Sequence, residues 1–421
     1  MIHSLPLVSW RHLISTFAVV SAEKTSMDLA GAYGLLTKLL NDTRDVVLIR
    51  ADAAPPIWSV SRGWRDYLLG LSDAELDRAD TEGIAAWFSN DPRCPASLRG
   101  VAERTSTLAN AFPATVAEPA ATDPRSMNVR KRGQVAALLR LLRDEFTDVT
   151  EIVDVGAGHG HLTIRAAAAL AVPTVGVERD PQRVAVARSL AGDRPVSFLA
   201  ADVFAAQSPL ALLPPNPKRL LMALHGCGDL GDAVVTSAVA TGARVLLLGC
   251  CPQKIRGAER PALVPGGPSF PREVLGLANV LARTTGVEGD LRQALATKES
   301  RLALRYMLAA RGATIPAGEE MRGVNRRKAN AGFAVFAEAV CRVRNFPAPT
   351  PSEIADAANQ AHAHYLAQRR LSLPRSMLGR VLEIFLAVDR ALFLQSHGYD
   401  ARVLQVFPTA LSPRNLAVLG V

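Results

Sequence analysis

Residues 151–170 read EIVDVGAGHGHLTIRAAAAL. An apolar run enters a turn holding Gly156, Gly158 and Gly160, and an Ala-rich segment leaves it. Glycine adopts positive φ at little cost and lets backbone N–H groups approach a ligand with no side chain in the way; a helix starting at the turn points its partial positive charge at the same spot. The passage predicts a strand, a ligand-contacting turn and a helix, the opening unit of a parallel α/β sheet. A sharp turn with no ligand would need the same glycines, so the motif alone leaves both readings open.

The chain repeats the pattern downstream. TVGVERD (174–180), VSFLAADVF (196–204), RLLMALH (219–225) and RVLLLGC (244–250) read as further strands, with helix-compatible sequence between most of them. Glu178 ends the second strand, about twenty residues past the motif glycines, where a carboxylate accepts hydrogen bonds from ribose hydroxyls. Asp202 follows the third strand and is placed to address adenine. The plainer readings are a surface acid at Glu178 and a helix cap at Asp202. The glycine spacing departs from the G-x-G-x-x-G that cradles a dinucleotide pyrophosphate, and Asp154 precedes the turn, where it orients the loop or the cationic part of a cofactor. An S-adenosylmethionine (SAM) pocket, with Asp154, Gly156, Gly158, Gly160, Glu178 and Asp202 as its residues, fits with less strain. A nucleotide-dependent Rossmann oxidoreductase is the competing enzyme class.

The next two strand ends carry reactive side chains. ALHGCGDL (223–230) sets out His225, Cys227 and Asp229 around two glycines, and His225 suits a proton acceptor or a substrate-positioning group; the alternative is a packed histidine that orders the turn. LLLGCCPQKIRG (246–257) brings Cys250 and Cys251 to the end of the fifth strand. His225, Cys227 and Cys250 would make a zinc site only with a further ligand, and their spacing is unlike a compact CxxC clamp, so substrate-lining or buried thiols and no metal are expected. Arg414 and Asn415, in the turn of the tail, complete the acceptor-side candidates.

Around this core the chain divides into a helical N-terminal region (1–120), a Pro/Ala/Thr-rich connection (about 112–126) and a catalytic domain (125–421). An insertion over roughly 252–375 precedes two final antiparallel strands in ARVLQVFPTALSPRNLAVLGV (401–421). In the N-terminal region, Gly70 and Ser72 mark a helix boundary. After Cys251 a basic Gly/Pro-rich stretch runs to about 330, and FAVFAEAVCRVRNF (333–346) and RSMLGRVLEIFLAVDRALFLQSHGY (375–399) beyond it read as helices. The expected fold class is therefore a Rossmann-like seven-stranded α/β sheet with helical additions.

Residues 1–120 hold eleven Lys/Arg against fourteen Asp/Glu, near −3, so the rest of the +9 chain carries about +12. A basic catalytic portion suits RNA or an acidic protein, and Arg322, Arg326, Arg327 and Lys328 concentrate that charge; the plain reading is a solvated surface. Aromatics make up only 5% of the chain, which argues against base-stacking platforms. Five irregularly spaced cysteines without a secretion signal suggest a reducing cytoplasm, and no segment has the character of a membrane span.

The approach at MNVRK (127–131), the DVGAGHGHL turn, ALHGCGDL, the LGCC turn, RVLEIFLAVDRALFLQSHG and SPRNLAVLGV together resemble the methyltransferase-like protein 25 group. The resemblance covers most of 125–421. It implies a class-I, SAM-dependent methyltransferase with Asp154 and the three glycines in the cofactor loop, Glu178 on the ribose, and His225, Cys227, Cys250 and Cys251 facing an acceptor that the group does not define. Pro252 stands where an aromatic commonly follows the paired cysteines, so that contact does not carry over. The N-P-P-[YFW] pattern of many amino-group methyltransferases is absent, so adenine N6 methylation is not implied. A SAM-binding protein without catalysis is the non-enzymatic alternative.

Overall fold

The computed structural model describes residues 27–51, 55–112, 114, 129–279, 288–316, 318–409 and 411–421. Five strands come first: β1 (Glu151–Val155), β2 (Thr174–Glu178), β3 (Val196–Ala200), β4 (Arg219–Leu224) and β5 (Arg244–Leu248). A two-stranded hairpin of β6 (Glu259–Arg260) and β7 (Phe270–Pro271) follows, and β8 (Ala401–Gln405) and β9 (Leu416–Gly420) close the chain. One seven-stranded sheet has the order β3-β2-β1-β4-β5-β9-β8, parallel through β5, with β9 antiparallel to both neighbours. The closing antiparallel pair and the seven-stranded sheet are as the sequence predicts.

β1, β4 and β5 are buried almost throughout, as parallel strands covered on both faces must be. Alternate residues feed two cores. Val153, Val155, Leu221, Ala223, Val245 and Leu247 join one, and Ile152, Leu220, Met222, Leu246 and Leu248 join the other, under the helices Val129–Glu145 and His161–Leu170.

The first core continues into the helical additions. A 46-residue helix, Pro351–Ser396, lies against the sheet, and the N-terminal helices, including Leu29–Asp42 and Ala96–Ala109, pack on it with Trp58 and Trp64 fully buried. Its start is fixed by a capping box between Thr350 and Glu353, and Arg311 grips the same Glu353 carboxylate at 2.7 Å through two nitrogens. The N-terminal boundary falls where expected: Gly70 ends the helix Arg65–Leu69, and Ser72 caps Asp73–Glu82 in a capping box with Glu75.

Two features of the insertion differ from the sequence reading. The helix expected over 375–399 is only the second half of Pro351–Ser396, which carries Pro374 in its interior. A 23-residue helix, Glu288–Ala310, occupies part of what reads as a basic Gly/Pro-rich stretch, and helix Phe333–Val343 builds a small separate core with it around Leu304, Leu308, Phe336 and Val340. Most of the 112–126 connection, and Met127 and Asn128 of the MNVRK approach, lie outside the described residues.

Candidate active site

β1 to β5 end on one edge of the sheet, and the strand order reverses between β1 and β4, the place where open α/β sheets form a ligand crevice. The turn after β1 lines one side. Gly156, Gly158 and Gly160 all have positive φ, at 79°, 59° and 74°. Gly160 is required twice over: it begins the helix His161–Leu170 in the left-handed region, and a Cβ there would meet the Phe198 ring at 2.5 Å. Gly158 differs, because a Cβ there would meet nothing within 4 Å, so its backbone faces open space. No side chain caps the helix, which leaves its first-turn amides pointing at the turn.

The acids predicted for this site are tied to the same turn. Glu178, only 7% exposed, accepts from the Gly158 N–H at 3.0 Å and, through its other oxygen, from the Asp180 N–H at 3.1 Å. Both oxygens keep lone pairs for a further donor. Asp154 is 2% exposed and accepts from the Thr163 hydroxyl at 2.6 Å, which ties β1 to the helix beyond the turn. Burial raises the Asp154 carboxyl to about 6; the Thr163 bond lowers it only in part, and the charge of Glu178 pushes it up further. Asp202 is exposed and accepts from the Phe204 N–H at 2.9 Å, closing its own turn rather than capping a helix.

The turns after β4 and β5 interlock. The N–H groups of His225 and Gly226 donate to the Leu248 carbonyl at 2.9 and 3.0 Å, and a Cβ on Gly228 would fall 2.0 Å from the Lys254 carbonyl oxygen. His225 is exposed and has φ of 72°, a conformation that side chains other than glycine rarely adopt. Leu230, beyond that turn, would touch a Cβ on Gly156 at 3.2 Å, so the two halves of the crevice meet. Asp229 accepts from the Arg256 N–H at 2.6 Å, and the Arg256 guanidinium lies 4.1 Å from the centroid of the Phe204 ring, linking the β3 and β5 turns.

The thiols converge. Cys227 and Cys250 Sγ atoms are 2.6 Å apart, Cys250 and Cys251 3.6 Å, and all three lie within 4.8 Å of one another. The converging set is Cys227, Cys250 and Cys251, rather than His225 with two cysteines. Hydrogen bonds from Cys227 and Cys250, with Lys254 and Arg414 nearby, lower the Cys251 thiol, while the contacts with Cys227 and Cys251 raise Cys250. Arg414, 6% exposed, pairs with Glu383 at 3.1 Å and lines a small cavity with Gly226, Gly228 and Cys250. Asn415 is spent on the fold: its amide bonds Phe407 O at 2.9 Å and Gln405 at 3.3 Å, and it accepts from Arg380 at 3.0 Å.

A buried four-charge cluster ties the turn after β4 to the long helix Pro351–Ser396. Arg260 bonds Asp232 and Asp389, both at 2.8 Å, and Arg390 bonds Asp232 at 2.8 Å and the Gly228 carbonyl at 3.1 Å. Asp389 is fully buried and also accepts the N–H groups of Leu263 and Val264. Sequence reasoning missed Thr163, Phe198, Lys254, Arg256, Arg260 and Arg390 as supports of the site. The basic residues Arg322, Arg327 and Lys328 are exposed and far along the chain from these turns, and Arg322 pairs loosely with Glu319 at 3.6 Å.

Residues 130–258 match a family model described as a methyltransferase domain. That match spans the glycine turn, the turns after β4 and β5 and the five parallel strands, and the sheet adds the antiparallel closing strand. The fold is that of the class-I, SAM-dependent methyltransferases. Among solved structures, the chain is similar to a precorrin-6y C5,15-methyltransferase from Geobacter metallireducens (21% identity, 30% of this chain and 66% of that one, TM-score 0.22). It is also similar to an amino pentose methyltransferase from Micromonospora echinaspora (18%, 33% and 63%, 0.23) and to a magnesium protoporphyrin IX methyltransferase from Synechocystis (15%, 41% and 69%, 0.23). The chain spans less than two thirds of the length of the first two. The methyltransferase fold rests on the strand order and the family match.

Proposed function

We propose that this chain is an SAM-dependent methyltransferase whose acceptor docks against the turns after β4 and β5. The observation that carries the reading is the strand end at the β1/β4 reversal, where a positive-φ glycine turn, an uncapped helix start and Glu178 bound to the Gly158 amide come together. The donor set suits the cofactor: open space at Gly158 admits a ligand to the backbone, Glu178 and Asp202 offer acceptors to ribose and adenine, and the buried Asp154 offers a carboxylate to a cation. When bound, SAM supplies an electrophilic methyl group on a sulfonium centre.

This chain's own residues do the rest. Asp154 and Thr163 fix the turn against the helix, and Glu178 holds it against β2. His225, exposed at the acceptor edge, accepts the proton of the attacking group or positions it, while Cys227, Asp229, Cys250, Cys251 and Arg414 line its approach. Methyl transfer at carbon, nitrogen, oxygen or sulfur is compatible with this set, and the acceptor is RNA, a protein or a small molecule. Kinship with the methyltransferase-like protein 25 group, on ALHGCGDL and LGCC, is part of the proposal, as are the 1–120 and 125–421 domain division and a cytoplasmic setting. No described helix is long and apolar enough to cross a membrane.

Incubation of the full chain with methyl-labelled SAM and fractionated cell extract tests the reading. Transfer of label to a fraction, reduced at least about 100-fold by His225→Ala with S-adenosylhomocysteine (SAH) binding kept, is expected. Absence of transfer under conditions that preserve SAH binding would favour a non-catalytic cofactor-binding protein.

A further inference from the structure

Cys227 sits on the turn after β4 and Cys250 and Cys251 on the turn after β5, neighbouring parallel strands whose ends are locked together by the His225 and Gly226 bonds to Leu248. Backbone contact between Gly228 and Lys254 fixes the two turns further. Three sulfurs therefore converge on one point without having to be gathered from mobile segments, and all three are free thiols. No carboxylate or imidazole belongs to the converging set among the described residues, which selects for a thiophilic ion over calcium or magnesium.

We infer that Cys227, Cys250 and Cys251 together hold one thiophilic divalent metal ion, zinc by preference, at the acceptor edge of the sheet. Zinc–sulfur bonds of about 2.3 Å in a tetrahedral site separate two sulfurs by about 3.8 Å. Cys250 and Cys251, at 3.6 Å, already stand at that spacing, and the Cys227–Cys250 pair opens by about 1 Å, the scale of a small rotation about one Cα–Cβ bond. Each thiol that ligates gives its proton to solvent. A cavity of about 30 Å³ beside Cys250, lined by Gly226, Gly228 and Arg414, has room for a water as fourth ligand. A disulfide would use two of the three sulfurs and leave Cys251 idle; a metal uses all three. The inference stands apart from methyl transfer, because it rests on the sulfurs and is read by metal content.

The test uses the full chain, kept reduced, loaded with zinc and desalted. Elemental analysis is expected to give about one zinc per chain, with stoichiometry lost in Cys227→Ser, Cys250→Ser and Cys251→Ser and kept in Cys94→Ala and Cys341→Ala. Cobalt in place of zinc is expected to give tetrahedral d–d bands and sulfur-to-cobalt charge-transfer absorption that weaken with each Ser substitution. Unchanged circular dichroism and SAH binding in the Ser variants separate ligand loss from misfolding and leave the methyltransferase reading independently readable. Failure of the reduced, folded chain to retain zinc or cobalt would overturn the inference. So would retention unaffected by the three Ser variants, or loss of two thiols to a Cys227–Cys250 disulfide in a metal-free chain.

Discussion

Asp154 keeps a carboxyl in the interior at the expense of the fold. It is buried, its one hydrogen bond comes from Thr163, and its carboxyl is pushed up to about 6. A carboxyl raised in the folded state contributes stability that is whole below the unfolded value, 3.8, and is lost as pH rises through about 6. Asp154→Asn keeps an acceptor for Thr163 and removes the buried charge. In urea melts, the variant is expected to match the parent near pH 4 and to exceed it by on the order of 2–3 kcal/mol at pH 7.5. A variant less stable than the parent at pH 7.5 would show that the carboxylate stabilises the turn. His225 makes a similar trade in its backbone. Its φ of 72° is the glycine region, so His225→Gly relieves about 1 kcal/mol of strain or more. Thermal unfolding is expected to show no loss of stability while methyl transfer falls; full turnover in this variant would remove His225 from the chemistry. The glycine turn and Glu178 were legible because the strand–turn–helix–strand pattern sets their spacing along the chain. Thr163 and Phe198 were not, since a helix threonine and a strand phenylalanine carry no motif, and only the fold shows that one bonds Asp154 and the other fills the space beside Gly160.

At the scale of elements, the strands were legible through short apolar runs ending in turns, and the boundary before the helix Asp73–Glu82 through Gly70 and Ser72. The insertion was less so. Pro374 usually marks a boundary, yet here it lies inside Pro351–Ser396, where burial of Met377, Leu378, Val381 and Phe385 against the sheet and N-terminal helices outweighs the missing N–H. The Arg260–Asp232–Arg390–Asp389 cluster that joins this helix to the acceptor edge has no sequence signature, because its members lie up to 158 residues apart. Burial opposes ionisation of Asp232, and the Arg390 and Arg260 guanidiniums outweigh it and hold its carboxyl below the usual range. Asp389→Ala takes one of the two carboxylate partners from Arg260, which keeps Asp232, and leaves two backbone amides unpaired in the interior; a loss of about 3–5 kcal/mol is expected by chemical denaturation. A loss below about 1 kcal/mol would mean that the cluster is not a structural tie.

Across the whole molecule, the five parallel strands bring together turns from segments up to about 100 residues apart, and the order of motifs along the chain predicted which strand ends would meet. What it could not predict is the meeting of Cys251 with Cys227 and Cys250, since adjacent cysteines on a regular strand point to opposite faces and only the turn after β5 brings both round. The account's central claim is that the crevice between the β1 and β4 turns takes the methyl-cycle cofactor. Calorimetric titration of the full chain with SAH, SAM and NAD tests it most directly. Saturable binding of SAH and SAM is predicted, weakened about tenfold or more in Glu178→Ala through lost ribose contacts, with no binding of NAD. Robust NAD binding with no detectable heat from either methyl-cycle ligand would contradict it.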